Sequence, residues 1–462
     1  MKNLVTALFV CCALALAQSH PAVAIHNAKI VTVSGSVIDK GTVVVRNGLI
    51  EAVGENVAVP SDAMLVEGEG LTVYPGLIDA LSTWGQPGAA PAAAAATSGR
   101  GGRGTTTATP TTTATAATQA AANPARGPED RPQTTSWVKI ADEVSSTDRR
   151  IESARGAGFT TAVTFPTRGI FAGQGAVIDL LTAEKSGEMI VASPVGQYIS
   201  IGRGGGGGMG RSFPGSLMGY IAYVRQIYLD AEHYKLVKDA YAKNPVGMAR
   251  PEYDRALEGV LDSPRILLPA NRLVEIDRML HLAADLKQPV IIYGGRETFR
   301  PEAAALLKKF NAPILLSMKW PEASRDADPD EPDSMRTLDT RDRAALAPAV
   351  LQKAGVKFAF YSDGLDAARD LQRAIKKALD NGLSREDALR ALTLSPAEIY
   401  GVANRLGSIE VGKIANLVVT RGDIFDDRTK VEMTLVDGRK YVPAPEASPF
   451  GGRGATTDPG VK

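Results

Sequence analysis

The 462-residue chain has little of what metal and thiol chemistry ordinarily use, with four histidines and two cysteines. Both cysteines, Cys11 and Cys12, fall inside the first apolar run, so a chain cut after it would carry no thiol and no disulfide. Excess charge of either sign is missing as well: 52 Lys and Arg stand against 51 Asp and Glu. That balance removes the electrostatic case for nucleic acid or an anionic membrane surface as partner. Beyond the N-terminus no stretch approaches the roughly 18 apolar residues of a membrane helix, so no membrane span is expected. The chain also has no Gly-x-Ser-x-Gly elbow, and no histidine is spaced to activate a serine.

What is present begins with an export pattern. Lys2, the apolar run Leu4 to Ala17 and small-residue cleavage options at Ala15-Leu16-Ala17 or Ala22-Val23-Ala24 mark residues 1–24 as a secretory signal. The protein is therefore expected in the periplasm or outside the cell.

From Ile25 onward, AKIVTVSGSVIDKGTVVVRNGLIEAVG alternates apolar and polar residues, with Asn47-Gly48 as a hairpin turn. A matching set ends the chain, where GSIEVGKIANLVVTRGD precedes VEMTLVDGRKYV and its Asp437-Gly438 turn. These segments, 25–75 and 405–443, are expected to pair as one composite β-sandwich.

Between them short β-rich runs (FTTAVTF, MIVASPV, RILLPA, PVIIYGG, APILLSM and KFAFYSD) alternate with helical stretches. That alternation predicts an α/β fold, a distorted (β/α)8 TIM-like barrel over residues 76–404 with a parallel sheet. In 216–243, Leu217, Ile221, Val224, Tyr228 and Ala231 mark one helix face. Ser395-Pro396-Ala397-Glu398 reads as a helix start with a capping hydroxyl.

Two segments break the pattern. Residues 86–135, rich in Ala, Thr and Gly, read as a disordered insertion, and 202–211 reads as a mobile glycine-rich loop in which Arg203 and Arg211 could meet an anion. Residues 444–462 read as a disordered tail. Asp326, Asp328, Asp330, Glu331 and Asp333 begin with calcium-loop spacing, but Glu331 and Thr337 stand where glycine and glutamate belong, which favours a solvated acidic loop.

The stretches VYPGLIDA, ARGAGFTTAV, GQGAVIDL, YSDG and LSPAEIYGVANRLGSIEVGKIANLVV resemble the amidohydrolase superfamily, close to its imidazolonepropionase-like branch. That resemblance implies a barrel with a composite sandwich, one or two divalent metals and hydrolysis of C–N bonds. It also implies six ligand positions, and five are substituted. The strand 1 pair falls on Leu81 and Thr83, the bridging lysine on Tyr198, the strand 5 histidine on Pro269, and the strand 6 histidine on Tyr293 or Gly294. The strand 8 aspartate remains as Asp363. A catalytic zinc ordinarily needs three protein ligands, and leucine, proline and neutral hydroxyls do not replace imidazoles. The four histidines, His20, His26, His233 and His281, lie at no predicted strand end.

Metal is therefore not expected, and zinc or another divalent ion enters only if the chain is an active hydrolase. Three functions stay open. The first is an exported pseudoenzyme acting as a binding or partner subunit, with an intact amidohydrolase homologue as candidate partner. The second is a hydrolase of cyclic amides, imides or small peptides with Asp363 as catalytic base. The third is a periplasmic small-molecule binding protein. Tyr198, Tyr293 and Tyr361 are candidate ligand contacts around Asp363, or space-filling residues of the barrel.

Overall fold

The computed structural model describes residues 22–86, 131–201, 214–323 and 332–443. The signal up to Pro21, most of the 86–135 insertion, the glycine-rich loop with Arg203 and Arg211, the tail and Asp326, Asp328, Asp330 and Glu331 lie outside the described residues. Among the described residues no helix is long and apolar enough to cross a membrane.

The N-terminal alternation forms β1 (Val23–Ile30), β2 (Ile38–Arg46), β3 (Leu49–Gly54), β4 (Met64–Glu67) and β5 (Thr72–Pro75). The barrel follows with β6 (Leu77–Ser82), β7 (Phe159–Thr164), β8 (Phe171–Gln174), β9 (Ala176–Asp179), β10 (Ile190–Ala192), β11 (Gln197–Ile199), β12 (Ile266–Ala270), β13 (Val290–Gly294), β14 (Ile314–Ser317) and β15 (Phe358–Tyr361). The chain returns through β16 (Leu417–Thr420), β17 (Val431–Val436) and β18 (Arg439–Tyr441).

Both ends of the chain build one sheet, ordered β18-β17-β16-β5-β1-β2-β3 with β4 also on β1. The joint is the antiparallel pair β16–β5, in which Val418 faces Tyr74. Ile25, Ile30, Val43, Val73, Leu417 and Leu435 share its apolar core, which ties the two ends through burial. The two predicted turns meet there. Asn47-Gly48 and Asp437-Gly438 all have positive φ, as a two-residue hairpin loop requires, and a Cβ on Gly438 would lie 2.9 Å from Gly48 Cα. The sheet also claims residues assigned to the signal: Ala22, Val23 and Ala24 are buried, and Val23 pairs with Val45.

In the barrel, ten short strands fill eight positions, in the order β6, β7, β9 with β8, β10 with β11, then β12 to β15. The expectation of a wholly parallel sheet fails at the third position. Segment 171–179 runs antiparallel to β7, with Val177 opposite Val163, and antiparallel to β11, with Gly173 opposite Tyr198. Only residues 165–170 separate β7 from β8, far fewer than a parallel crossover needs. Gly175 marks the switch between the two arcs, where a Cβ would meet the Phe165 ring at 2.2 Å.

No backbone ladder joins β15 to β6 among the described residues. Side chains span that seam instead. Asp79 of β6 is fully buried and accepts from Ser362 N (3.0 Å) and Ser362 Oγ (2.5 Å). A second buried polar group ties the barrel to the sheet: Asn416 Nδ2 donates to Asp179 Oδ1 (2.6 Å) and Thr161 Oγ1 (2.9 Å), and its Oδ1 accepts from Asp437 N (2.7 Å).

Three local expectations shift. Helix Leu217–Lys243 is capped by Ser216, whose side chain accepts from Gly219 N, but it buries Tyr223, Val224, Ile227, Tyr228 and Ala231 while Leu217 is exposed. Ser395 caps nothing, because the helix begins at Leu394 and Ser395 lies buried within it. The disordered reading of 86–135 does not extend to its edges. Gln86 Nε2 donates to Phe165 O (2.8 Å), and Thr134 shares a 2.7 Å hydroxyl contact with Tyr223.

Candidate functional site at the barrel mouth

The lumen is a packed cluster containing Leu81, Phe165, Tyr198, Leu267, Tyr293, Leu315 and Tyr361. Strand alternation supplies it, since Leu267, Tyr293, Leu315 and Tyr361 all sit at lumen-facing positions of neighbouring strands. Tyr400 Oη closes the cluster by donating to Ala80 O at 2.8 Å.

Each candidate ligand position can be placed in this setting. Leu81 is buried in the lumen core. Thr83 lies one residue past β6, and its hydroxyl accepts from Arg150 Nη1 at 3.0 Å. Arg150 Nη2 also donates to Thr83 O and Gln86 O, both at 2.7 Å. Asp148 holds that guanidinium at 2.7 Å. Burial alone would raise Asp148, but the hydrogen bonds and charge of Arg150, with Gly85 N–H, keep its carboxyl below the ordinary value. Pro269 and Tyr293 are register partners on β12 and β13. Tyr198 and Tyr293 stack with centroids 5.2 Å apart and planes 25° apart, and Tyr293 Oη donates to Ile199 O at 3.3 Å.

Asp363 lies just past β15 in the left-handed region, φ 52°, which an aspartate tolerates better than most residues. Ser317 Oγ donates to its Oδ2 at 2.7 Å. Burial raises the Asp363 carboxyl above its ordinary value, partly offset by the Ser317 hydrogen bond and by the charges of Arg296 and Lys319. Burial also pushes the Tyr198 phenol up to about 12, and Tyr293 and Tyr361 well above the phenol range, with the Asp363 charge adding to each. Asp363 thus lies near enough to Tyr198, Tyr293 and Tyr361 for its charge to act on each phenol.

These residues do not fit a divalent ion. All three phenols stay protonated at neutral pH, and neutral phenols are poor ligands. The strand 1 hydroxyl is engaged by a guanidinium, whose charge opposes a second cation. Among the described residues no three His, Cys, Asp or Glu side chains converge to hold a metal. The described histidines are elsewhere: His26 Nδ1 contacts Thr42 Oγ1 at 2.9 Å, His281 Nδ1 contacts Asp277 O at 2.9 Å on a helix surface, and His233 is exposed. Asp333 of the acidic loop pairs with Arg341.

Sequence reasoning assigned no role to Arg150, Asp79, Ser317 or Ser362. Arg150 reaches Thr83 across 67 positions, so no local spacing announces it. Asp79 and Ser362 sit inside VYPGLIDA and YSDG, and only those stretches drew attention to them.

The architecture defines a class: an eight-position α/β barrel with a β-sheet drawn from both chain ends. Residues 332–440 match the Amidohydrolase family model. In structure the chain is similar to an amidohydrolase from Thermotoga maritima MSB8, with a TM-score of 0.69, 24% identity and coverage of 91% of this chain and 100% of that one. It is also similar in fold to a prolidase solved with N-methylphosphonate-L-proline, with a TM-score of 0.53, 16% identity and coverage of 92% and 100%. In sequence, 69 residues are 33% identical to an adenine deaminase from Moorella thermoacetica (strain ATCC 39073 / JCM 9320). That match spans 15% of this chain and 11% of that enzyme's length.

Proposed function

We propose that this chain is a metal-free, catalytically silent amidohydrolase-fold protein that acts outside the cytoplasm as a binding or partner subunit. One observation carries the reading: the ligand positions are filled by packing, with Arg150 seated on Thr83 and Tyr198 stacked on Tyr293. A water whose pKa is brought near neutrality needs an ion at its side, and these side chains supply no place for one. The partner chemistry this suggests is an intact homologue or a small ligand bound at the mouth.

Purified protein incubated with zinc or manganese should hydrolyse cyclic amides, imides and dipeptides no faster than buffer does. Sustained turnover above buffer would refute the reading. A second reading has one observation in its favour. Asp363, raised by burial and hydrogen-bonded to Ser317, has the character of a general base. On that reading turnover exists and Asp363→Ala abolishes it.

A further inference from the structure

The loops after β12, β13, β14 and β15, with helices Met335–Arg343 and Ala367–Asp380, border a half-open recess of about 730 Å³ on the C-terminal side of the barrel. None of the six ligand positions lines it, so it lies beside the place where a metal would sit. Among the described residues its lining holds seven Lys and Arg side chains against three carboxylates. Two of those carboxylates are already engaged. Glu297, 3% exposed, accepts from Leu273 N at 2.9 Å and Arg336 Nε at 2.8 Å, and Asp370 accepts from Arg373 at 2.8 Å.

Arg341 has Asp333. Arg272, Arg296, Lys319 and Lys377 form no ion pair among the described residues, with only Glu322 left in the lining to balance them. The charge of Arg296 and Lys319 is felt by Asp363 from the side. The lining also has apolar members: Trp320, whose Nε1 donates to Ala374 O at 2.8 Å, Met318 and Leu365. Clustered cations of one sign around a half-open recess raise the local concentration of anions.

We propose that this cavity binds a small organic anion carrying two negative charges, two carboxylates or one phosphate, on an apolar or aromatic body. The guanidinium of Arg296 and the ammonium of Lys319 clamp the charged end, and Trp320 covers the body. Cavities of this size suit drug-sized ligands. The assignment rests on the metal-free binding reading and adds the chemistry of the ligand.

The test is calorimetric titration of the full chain with phenylsuccinate and phenyl phosphate at low ionic strength, with benzamide as the neutral control. Saturable binding of one or both anions and none of benzamide is expected, weakened by about tenfold or more in Arg296→Ala/Lys319→Ala, as loss of charge-assisted hydrogen bonds implies. Arg272→Ala/Lys377→Ala, which removes the other two unpaired lining cations, should also weaken binding, and it serves if the first variant fails to fold. Preference between the two anions tells a carboxylate site from a phosphate site. Equal responses to anions and benzamide, or binding unchanged in both variants, would overturn the assignment. Zinc measured on the same sample separates the two readings. A metal-free chain that ignores both anions defeats the cavity assignment alone, whereas one zinc per chain with amide turnover defeats the reading beneath it.

Discussion

Ser362→Ala would remove the hydroxyl that donates to Asp79 across the β6–β15 seam, where no backbone ladder joins the strands. Burial pushes the Asp79 carboxyl up to about 7, with the Ser362 hydrogen bonds opposing the rise. The folded value thus lies above the unfolded 3.8. A raised carboxyl contributes stability that is complete below about pH 4 and is lost as pH climbs through about 7, at up to about 1.4 kcal/mol per pH unit. Below pH 6 Asp79 is mostly protonated, and losing one neutral hydrogen bond costs on the order of 1 kcal/mol. At pH 8 it is ionised, and a buried charge stripped of a donor costs on the order of 2–3 kcal/mol. Thermal midpoints of wild type and Ser362→Ala at pH 5.5 and pH 8 should therefore diverge, with the larger loss at pH 8. Asp79→Asn, which cannot ionise, should flatten the wild-type decline between pH 4 and 7. A Ser362→Ala loss equal at both pH values, or no loss, would refute the claim that a buried carboxyl closes the barrel.

Other consequences follow from particular contacts. Asn416→Ala leaves Asp179, whose carboxyl burial pushes up to about 7, without its 2.6 Å donor, and urea denaturation should show a loss of about 2–4 kcal/mol. Gly438→Ala adds a Cβ 2.9 Å from Gly48 Cα at positive φ and should cost about 1–3 kcal/mol, more than Gly412→Ala, whose Cβ meets nothing within 4 Å. If the two cost the same, the two hairpin turns do not depend on their close approach. N-terminal sequencing of exported protein should find cleavage after Ala17, because Ala22 to Ala24 are buried in the sheet. A mature chain beginning at Ile25 would contradict that pairing.

Much of the architecture was legible because it is local. The turns Asn47-Gly48 and Asp437-Gly438 announce their hairpins through residues that tolerate positive φ, and each apolar run from FTTAVTF to KFAFYSD became a barrel strand. The antiparallel 171–179 segment was missed because strand residues look the same in either direction. Only the shortness of the 165–170 connection carried the information. The helix start was misplaced because Ser395-Pro396 imitates a cap, whereas tertiary packing buries Ser395 and starts the helix at Leu394. At the mouth, the substituted ligand positions could be read one by one from motifs. What replaces them could not: Arg150 arrives at Thr83 from a distant helix, and the cations of the side cavity come from three strand-end loops and from helices Met335–Arg343 and Ala367–Asp380.

The central claim is that packed phenols, a leucine, a proline and a guanidinium-bound threonine leave no seat for a catalytic ion. The most direct measurement is elemental analysis of the purified full chain after equilibration with zinc and removal of free ion. The account predicts well under one zinc per chain. Retention of about one zinc per chain, lost in Asp363→Ala, would contradict it.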